Sequence, residues 1–360
     1  EINRKFKSEM GISGEVQIQK KDVRTGEIVE ERKGNNMLLD SYLNAYFENG
    51  RPLINSSVFD VCAIGDSNTP ADRSQTGIQG TTLASNSNGS YDGSDTDLMG
   101  QGWSQGNNFT GHSNDVNSAN FHPTIDNLAI SGSADDTVKI FETLLDKKNE
   151  IQASGEWVFQ AGVGTGTIRE VYLEGYNPTA RKVISPEIVK DEYHEIIVKW
   201  TIKITKPDTA WTGTLTGAGM SGEDIAYELT MGNNSLYEHT AEFYHLMDRI
   251  YDGTTTSVHL RTFESNTELS EGSREEGDSF ANQIHRGDTY QIIKTYSPGD
   301  YKMNFRVTLD VDDSNTADIG GVRIEQDEDQ PYFRTLFTPK LPKTDTYRLH
   351  FDYEFQLNPS

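Results

Sequence analysis

Apolar residues fall on alternate positions over several long stretches of this chain, and a period of two predicts strands with one face in a core. The clearest run is Glu195 to Thr205, where Ile196, Val198, Trp200, Ile202 and Ile204 share one face and mostly polar residues the other. Tyr301, Met303, Phe305, Val307, Leu309 and Val311 alternate over a second run. Tyr347, Leu349, Phe351, Tyr353, Phe355 and Leu357 alternate over a third. Aromatic residues favour half-buried pleated surfaces, so the last two runs predict strands with aromatic faces. Within Glu15 to Glu31, Val16 and Ile18 alternate with polar residues, Arg24-Thr25-Gly26-Glu27 supplies a turn, and Ile28-Val29 opens a return strand. That pattern predicts a hairpin. Shorter strands are expected at Val58 to Ile64, Val138 to Leu144, Trp157 to Gln160 and Ile168 to Leu173.

Two stretches change period. From Asn36 to Phe47, residues Leu39, Leu43, Tyr46 and Phe47 fall at i, i+4, i+7 and i+8, one face of a helix closed by Asn49-Gly50. Ser235-Leu-Tyr-Glu238 has the form of a capping box, and Leu236, Phe243, Met247, Ile250 and Tyr251 continue a helical stripe to Asp252-Gly253. Between Ala84 and Asn120 most residues are Ser, Asn, Gly, Asp or Thr, too little apolar surface for a core, so a long exposed loop is expected there. The pattern therefore predicts an all-β or β-dominated fold: antiparallel β-sandwich domains, one or two short helices and a long Gly/Ser/Asn-rich loop. A soft boundary near Thr205 to Gly222 separates an N-terminal β-domain, 1–210, with its loop insertion near 84–120, from a C-terminal β-domain, 211–360, with a helix near 235–251.

Charge narrows the partners. Lys and Arg number 32 against 56 Asp and Glu, a formal charge of −24 over 360 residues. Phosphate contacts need clustered cations, so direct nucleic-acid binding is not expected. No stretch approaches the roughly 18 apolar residues of a membrane helix, and Glu1 to Met10 lacks a signal-peptide apolar run, so membrane insertion is not expected either. One cysteine, Cys62, leaves no intrachain disulfide and no Cys-rich zinc site.

Candidate chemistry is sparse. Gly162-Val-Gly-Thr-Gly166 lacks the G-x-G-x-x-G spacing and runs into a strand at Ile168, which makes it a hairpin turn rather than a phosphate cradle. Phosphate-loop, nucleophile-elbow and zincin signatures are missing. His239, Glu242 and His245 share the predicted helix, but six residues turn the two rings about 240° apart, where a shared ion needs i, i+4. Asp310, Asp312, Asp313 and Asp318 resemble a calcium loop, yet Asn315 holds its hinge position and Gly321 the place of its bidentate Glu, so a solvated acidic loop is expected. No catalytic, cofactor-binding or metal-ligating residue is assigned, and the chain is read as a non-enzyme.

Two stretches carry resemblances. Gly111-His112-Ser-Asn-Asp-Val116, Phe121-His-Pro123, Leu128-Ala-Ile-Ser-Gly-Ser133 and Asp135-Asp-Thr-Val-Lys-Ile-Phe-Glu142 look like one WD40 repeat, with Phe141-Glu142 for the usual Trp-Asp. No second repeat follows at the required period of about 40 residues, and one blade cannot close a ring. The second resemblance spans much more of the chain. Gly14-Glu-Val-Gln-Ile, Asn35-Asn36-Met-Leu-Leu-Asp40 and Val61-Cys-Ala-Ile-Gly65 with Thr69-Pro70-Ala71 look like the hairpin, the N-x-[LI]-[LIV]-D segment and the G-x-[ST]-x-x-P turn of tailed-bacteriophage virion proteins. Gly155-Glu-Trp-Val-Phe with Thr167-Ile-Arg-Glu-Val-Tyr-Leu-Glu174 is similar to their w-x-f…i-x-E-x-x-L strand pair, and Tyr347-Arg-Leu-His-Phe-Asp-Tyr-Glu-Phe to their closing strand.

That resemblance implies a structural component of a phage tail, fibre, collar or neck, assembled in the host cytoplasm and docked on other virion proteins. It brings no catalytic residues. The aromatic strand faces and the symmetry of such particles lead to the expectation of a homo-oligomer. The alternatives are a host-surface recognition module that takes a glycan or protein, with or without polysaccharide-cleaving activity, and a WD40-like interaction scaffold.

Overall fold

The computed structural model describes residues 2–49, 53, 56–92, 116–121, 128–133, 138–142, 150–205, 210–231, 258–264, 283–287, 293–313, 317–326 and 330–360. Its first strands are β1 (Ile2–Asp22), β2 (Ile28–Leu38), β3 (Val61–Gly65), β4 (Thr82–Asn86) and β5 (Ser90–Asp92). Then come β6 (Val116–Phe121), β7 (Leu128–Ser133), β8 (Val138–Glu142), β9 (Glu150–Phe159), β10 (Gly166–Glu174), β11 (Pro178–Lys190) and β12 (His194–Thr205). The second half adds β13 (Trp211–Leu215), β14 (Ile225–Met231), β15 (Val258–Phe263), β16 (Gln283–Gly287) and β17 (Ile293–Ser297). It closes with β18 (Lys302–Leu309), β19 (Ile319–Gln326), β20 (Gln330–Leu341) and β21 (Leu349–Pro359). One helix, α1 (Asp40–Asn49), lies among the described residues, with a single 3-10 turn at Ser56–Val58.

The fold is β-dominated, as the alternation requires. β12 puts Ile196, Val198, Trp200, Ile202 and Ile204 in the core, each at most 2% exposed. The aromatic rows of β18 and β21 are equally buried. α1 begins later than its apolar spacing suggests, because Asn36 to Leu38 still belong to β2. The Leu39 carbonyl accepts the first helical bond from Leu43 N–H at 3.1 Å, and Asp40 in the first turn suits the positive end of the helix. The Ser235 to Tyr251 helix, with His239, Glu242 and His245, falls outside the described residues.

β1 organises the molecule. Its 21 residues pair along one edge with β12, antiparallel from Gly11 to Asp22. Along the other edge, Ile2 to Ile12 pair in parallel with β21, and Gly14 to Lys21 pair antiparallel with β2. The sheets are thus mixed rather than wholly antiparallel. β2 then leaves β1, and its last residues, Met37 and Leu38, pair with Arg181 and Ala180 of β11. This corner folds the β11-β10-β3-β4 sheet onto β2-β1-β12-β9-β5. The first sandwich encloses Trp157, Trp200, Phe59, Ile64 and Ile168, all in one apolar cluster. Gly14 lies opposite Asn36 in register, and a Cβ there would come within 2.4 Å of the Asn36 amide, so glycine is required by the close approach.

The second sandwich sets β17-β18-β21 and the first half of β1 against the six-stranded sheet β13-β14-β20-β19-β15-β16. Its core is aromatic: Tyr353 stacks on Phe305 with ring centroids at 5.1 Å and on Phe333 at 5.5 Å, and Phe6 meets the Tyr227 ring edge-on at 5.0 Å. The six-stranded sheet starts at Trp211, close to the expected boundary, yet β17, β18 and β21 return to the sheet of β1. α1 packs at the junction, with Phe47 stacked on Tyr296 at 4.9 Å and Tyr46 edge-on to Phe355. On the face of the six-stranded sheet turned away from this core, Arg261, Arg323 and Arg334 stand side by side in register and are all less than a tenth exposed.

The stretch expected as loop from Ala84 to Asn120 carries the end of β4, all of β5 and most of β6. β6, β7 and β8 form a separate antiparallel meander, so the WD40-like stretch holds three strands where one was expected. His112 and Asp135 lie outside the described residues.

A candidate interaction site fastened by a buried ion pair

Gly65 to Thr81 leave β3 as an irregular segment that folds back over the outer face of β3, β10 and β11. Beneath it lies a small second apolar cluster, Leu39, Ala63 and Tyr172 with Ile78 packed against it. Two charged side chains on this face, Glu170 of β10 and Arg181 of β11, are fully buried. A bulge between Ile168 and Glu170 offsets the strands, and the two groups meet with Arg181 Nε donating to Glu170 Oε2 at 2.8 Å.

The segment supplies partners to both members of the pair, although Arg181 Nη2, 2.7 Å from Glu170 Oε2, makes no hydrogen bond. Glu170 Oε1 accepts the backbone N–H of Ser67 at 3.3 Å and of Gly80 at 3.0 Å, and the Gln79 N–H reaches both carboxylate oxygens. Arg181 Nη1 donates to the carbonyls of Thr69 and Pro70 and to Gln75 Oε1 at 2.9 Å. Tyr172 donates its hydroxyl to the Thr76 carbonyl, and burial pushes that phenol well up from its usual range. Arg73 ties the segment to the rest of the fold, donating to the Leu38 carbonyl at 3.0 Å and to the Pro359 carbonyl at 3.2 Å. The Arg73 carbonyl in turn accepts Asp40 N–H at the start of α1.

A carboxylate with no exposed surface and with donors on both oxygens has nothing left to offer a substrate. Buried charge of this kind is costly unless paired, and here its pairing fixes the backbone of residues 66–81. What reaches solvent is the outer side of the segment, where Asn68, Thr69, Pro70, Asp72, Ser74 and Thr76 are exposed. The arrangement presents a rigid, hydrogen-bonding surface.

Glu170 was legible only as a charged residue inside an apolar run, and its partner Arg181 only through the strand register. Glu170 belongs to a motif the sequence singles out, the i-x-E-x-x-L strand, and the G-x-[ST]-x-x-P turn supplies Ser67, Thr69 and Pro70, which hydrogen-bond the pair, whereas Arg181 lies outside both motifs. The fold brings these two motifs into direct hydrogen bonding.

The other expected features resolve structurally. Gly162, Gly164 and Gly166 all have positive φ, which allows the tight turn from β9 into β10. Asp310 and Asp313 form a turn after β18 in which the Asp310 N–H donates to Asp313 Oδ2, and Arg348 pairs with Asp310 at 2.5 Å. Among the described residues no group of three or more His, Cys, Asp or Glu is placed to hold a metal ion, and no helix is long and apolar enough to cross a membrane. Cys62 is buried against Trp200, and its thiol is pushed up to about 12 by desolvation. Comparison with protein-family models, curated proteins and solved structures finds no match.

Proposed function

We propose that this chain is a non-enzymatic β-scaffold that works by presenting rigid surface, and that it serves as a structural component of a bacteriophage virion, in the tail, fibre or neck, docking on other virion proteins. The observation that supports this reading is the sealed Glu170–Arg181 pair, whose hydrogen bonds hold a surface segment in place. The motifs that resemble virion proteins are the ones this pair joins. A catalyst would keep a titratable group open to its substrate; here the densest polar constellation among the described residues is closed.

The test is immunogold or antibody labelling of purified virions from the source phage, imaged by negative stain. Label at one symmetric position, tail, fibre or neck, is the expected result. Intact particles without label, with the chain present only in the soluble lysate, would overturn the virion assignment.

A further inference from the structure

Nine large apolar side chains are exposed among the described residues, and six of them gather at one end of the first sandwich. Val23, Ile28 and Val29 lie at the β1–β2 turn, Val189 and Tyr193 flank the β11–β12 turn, and Val163 tops the β9–β10 turn; each is 44–55% exposed. Scattered exposed hydrophobics need no explanation, but a cluster does. The register shows that these turns are neighbours. Val23 N–H donates to the Tyr193 carbonyl at 3.0 Å, and Asp22 pairs with His194. Lys190 Nζ donates to the Gln160 carbonyl at 2.9 Å, which draws the β9–β10 turn against the end of β11.

The charges at this end differ from those of the chain as a whole. A chain of formal charge −24 repels its own copy through its net charge. Here both signs alternate in local pairs: Arg24 with Asp22 at 2.5 Å, Lys21 with Glu195 at 2.8 Å and Arg169 with Glu187 at 2.7 Å, and the His194 ring hydrogen-bonds Asp191 at 2.5 Å. Arg24 also lies over the Tyr193 ring, 4.8 Å from its centroid, and holds the Asp22 carboxyl well below the usual carboxylate range. A contact about a two-fold axis needs a patch complementary to itself, with cations and anions both present and apolar groups between them. This end supplies all three. Cationic Arg24 stands on the β1–β2 turn, and anionic Asp191 and Glu192 stand on the neighbouring β11–β12 turn, so rotation sets one turn against the other.

We infer that this end of the first sandwich is a self-association surface that takes a second copy of the chain about a two-fold axis. The inference rests on the surface chemistry and not on the virion assignment, so either can fail while the other stands.

Sedimentation velocity and light scattering of the full chain, from about 1 to 100 μM, test it. The expected result is a species of twice the chain mass. Ile28→Asp and Val189→Asp, singly, are expected to weaken the dimer at least tenfold with an unchanged unfolding midpoint. Met220→Asp, at an exposed apolar residue in the β13–β14 turn, is expected to leave it intact. Should a variant fail to fold, hydrogen exchange of the unaltered chain reads the same surface, with protection near 22–29 and 189–194 rising with concentration. A monomer throughout the range, a trimer or other odd assembly, a dimer untouched by both variants, or protection confined elsewhere would each overturn the proposal.

Discussion

The two sandwiches share a strand and differ in how they treat charge on their outer faces. In the first, a buried arginine meets a carboxylate on the adjacent strand, and one irregular segment supplies hydrogen bonds to both groups. In the second, four arginines are in register across adjacent strands, Arg286, Arg261, Arg323 and Arg334, with Thr230 on the next strand, so the row itself contains no acid. Like charges directly opposite on a sheet are destabilising. A row of like charges in register adds a repulsion that the ion-paired face of the first sandwich does not carry.

The inner faces should behave alike, and substitutions there set the scale. Trp200→Ala in the first sandwich and Phe351→Ala in the second are each expected to cost about 3–5 kcal/mol in urea unfolding, from lost burial and the cavity left behind. A loss below about 1 kcal/mol at either would place that residue outside a packed core. Arg181→Met is expected to cost about as much, some 3–5 kcal/mol, because it strands the Glu170 carboxylate in a dry site. Limited proteolysis should then cut within residues 66–81. The double substitution Arg181→Met with Glu170→Leu should recover much of that loss, since neither charge remains; no recovery would mean that the backbone donors matter more than the pair.

Arg323→Met tests the contrast directly. Removing this cation loses its own contacts but relieves repulsion from Arg261 and Arg334, worth roughly 0.2–1 kcal/mol each, which offsets part of that loss, so its cost is expected to be smaller than that of Arg181→Met. Equal losses would show that Arg323 is as tightly partnered as Arg181. Tyr353→Phe deletes the hydroxyl shared with Thr335 at 3.1 Å inside the aromatic core and should cost about 0.5–1.5 kcal/mol.

The smallest expected effect is none. The Cys62 thiol, raised to about 12 by burial, should resist alkylation at pH 8 in the folded chain and react only as the first sandwich opens. Labelling at urea concentrations where the aromatic core remains intact would show that the sandwiches unfold separately.

Much of this architecture was legible in the sequence, for definable reasons. β12, β18 and β21 bury one face each, and such strands announce themselves by strict alternation. The first half of β1 did not, because Lys5, Lys7 and Glu9 alternate with Phe6, Ser8 and Met10, where a buried serine breaks the apolar pattern. Its partner β21 is remote in the chain, and no local pattern specifies a parallel pairing of that separation. The fastened segment was legible only as two short motifs. Glu170 and Arg181 meet across a bulge, and a bulge shifts register in a way that periodicity cannot signal. The aromatic rows, read as faces for assembly, lie in the core of the second sandwich, and the exposed apolar residues collect at turns that alternation overlooks.

The shared strand also sets the mechanics of the molecule. β1 and β21 run in the same direction through eleven consecutive register pairs, from Ile2 beside Leu349 to Ile12 beside Pro359. A pull applied at the start of β1 and the end of β21 acts along the strands in opposite senses and slides one past the other. The hydrogen bonds between them are then strained together instead of being peeled in turn. Because β1 continues from one sandwich into the other, tension entering at one is handed on through a single backbone, and the joint between the two halves is as stiff as a strand in a sheet.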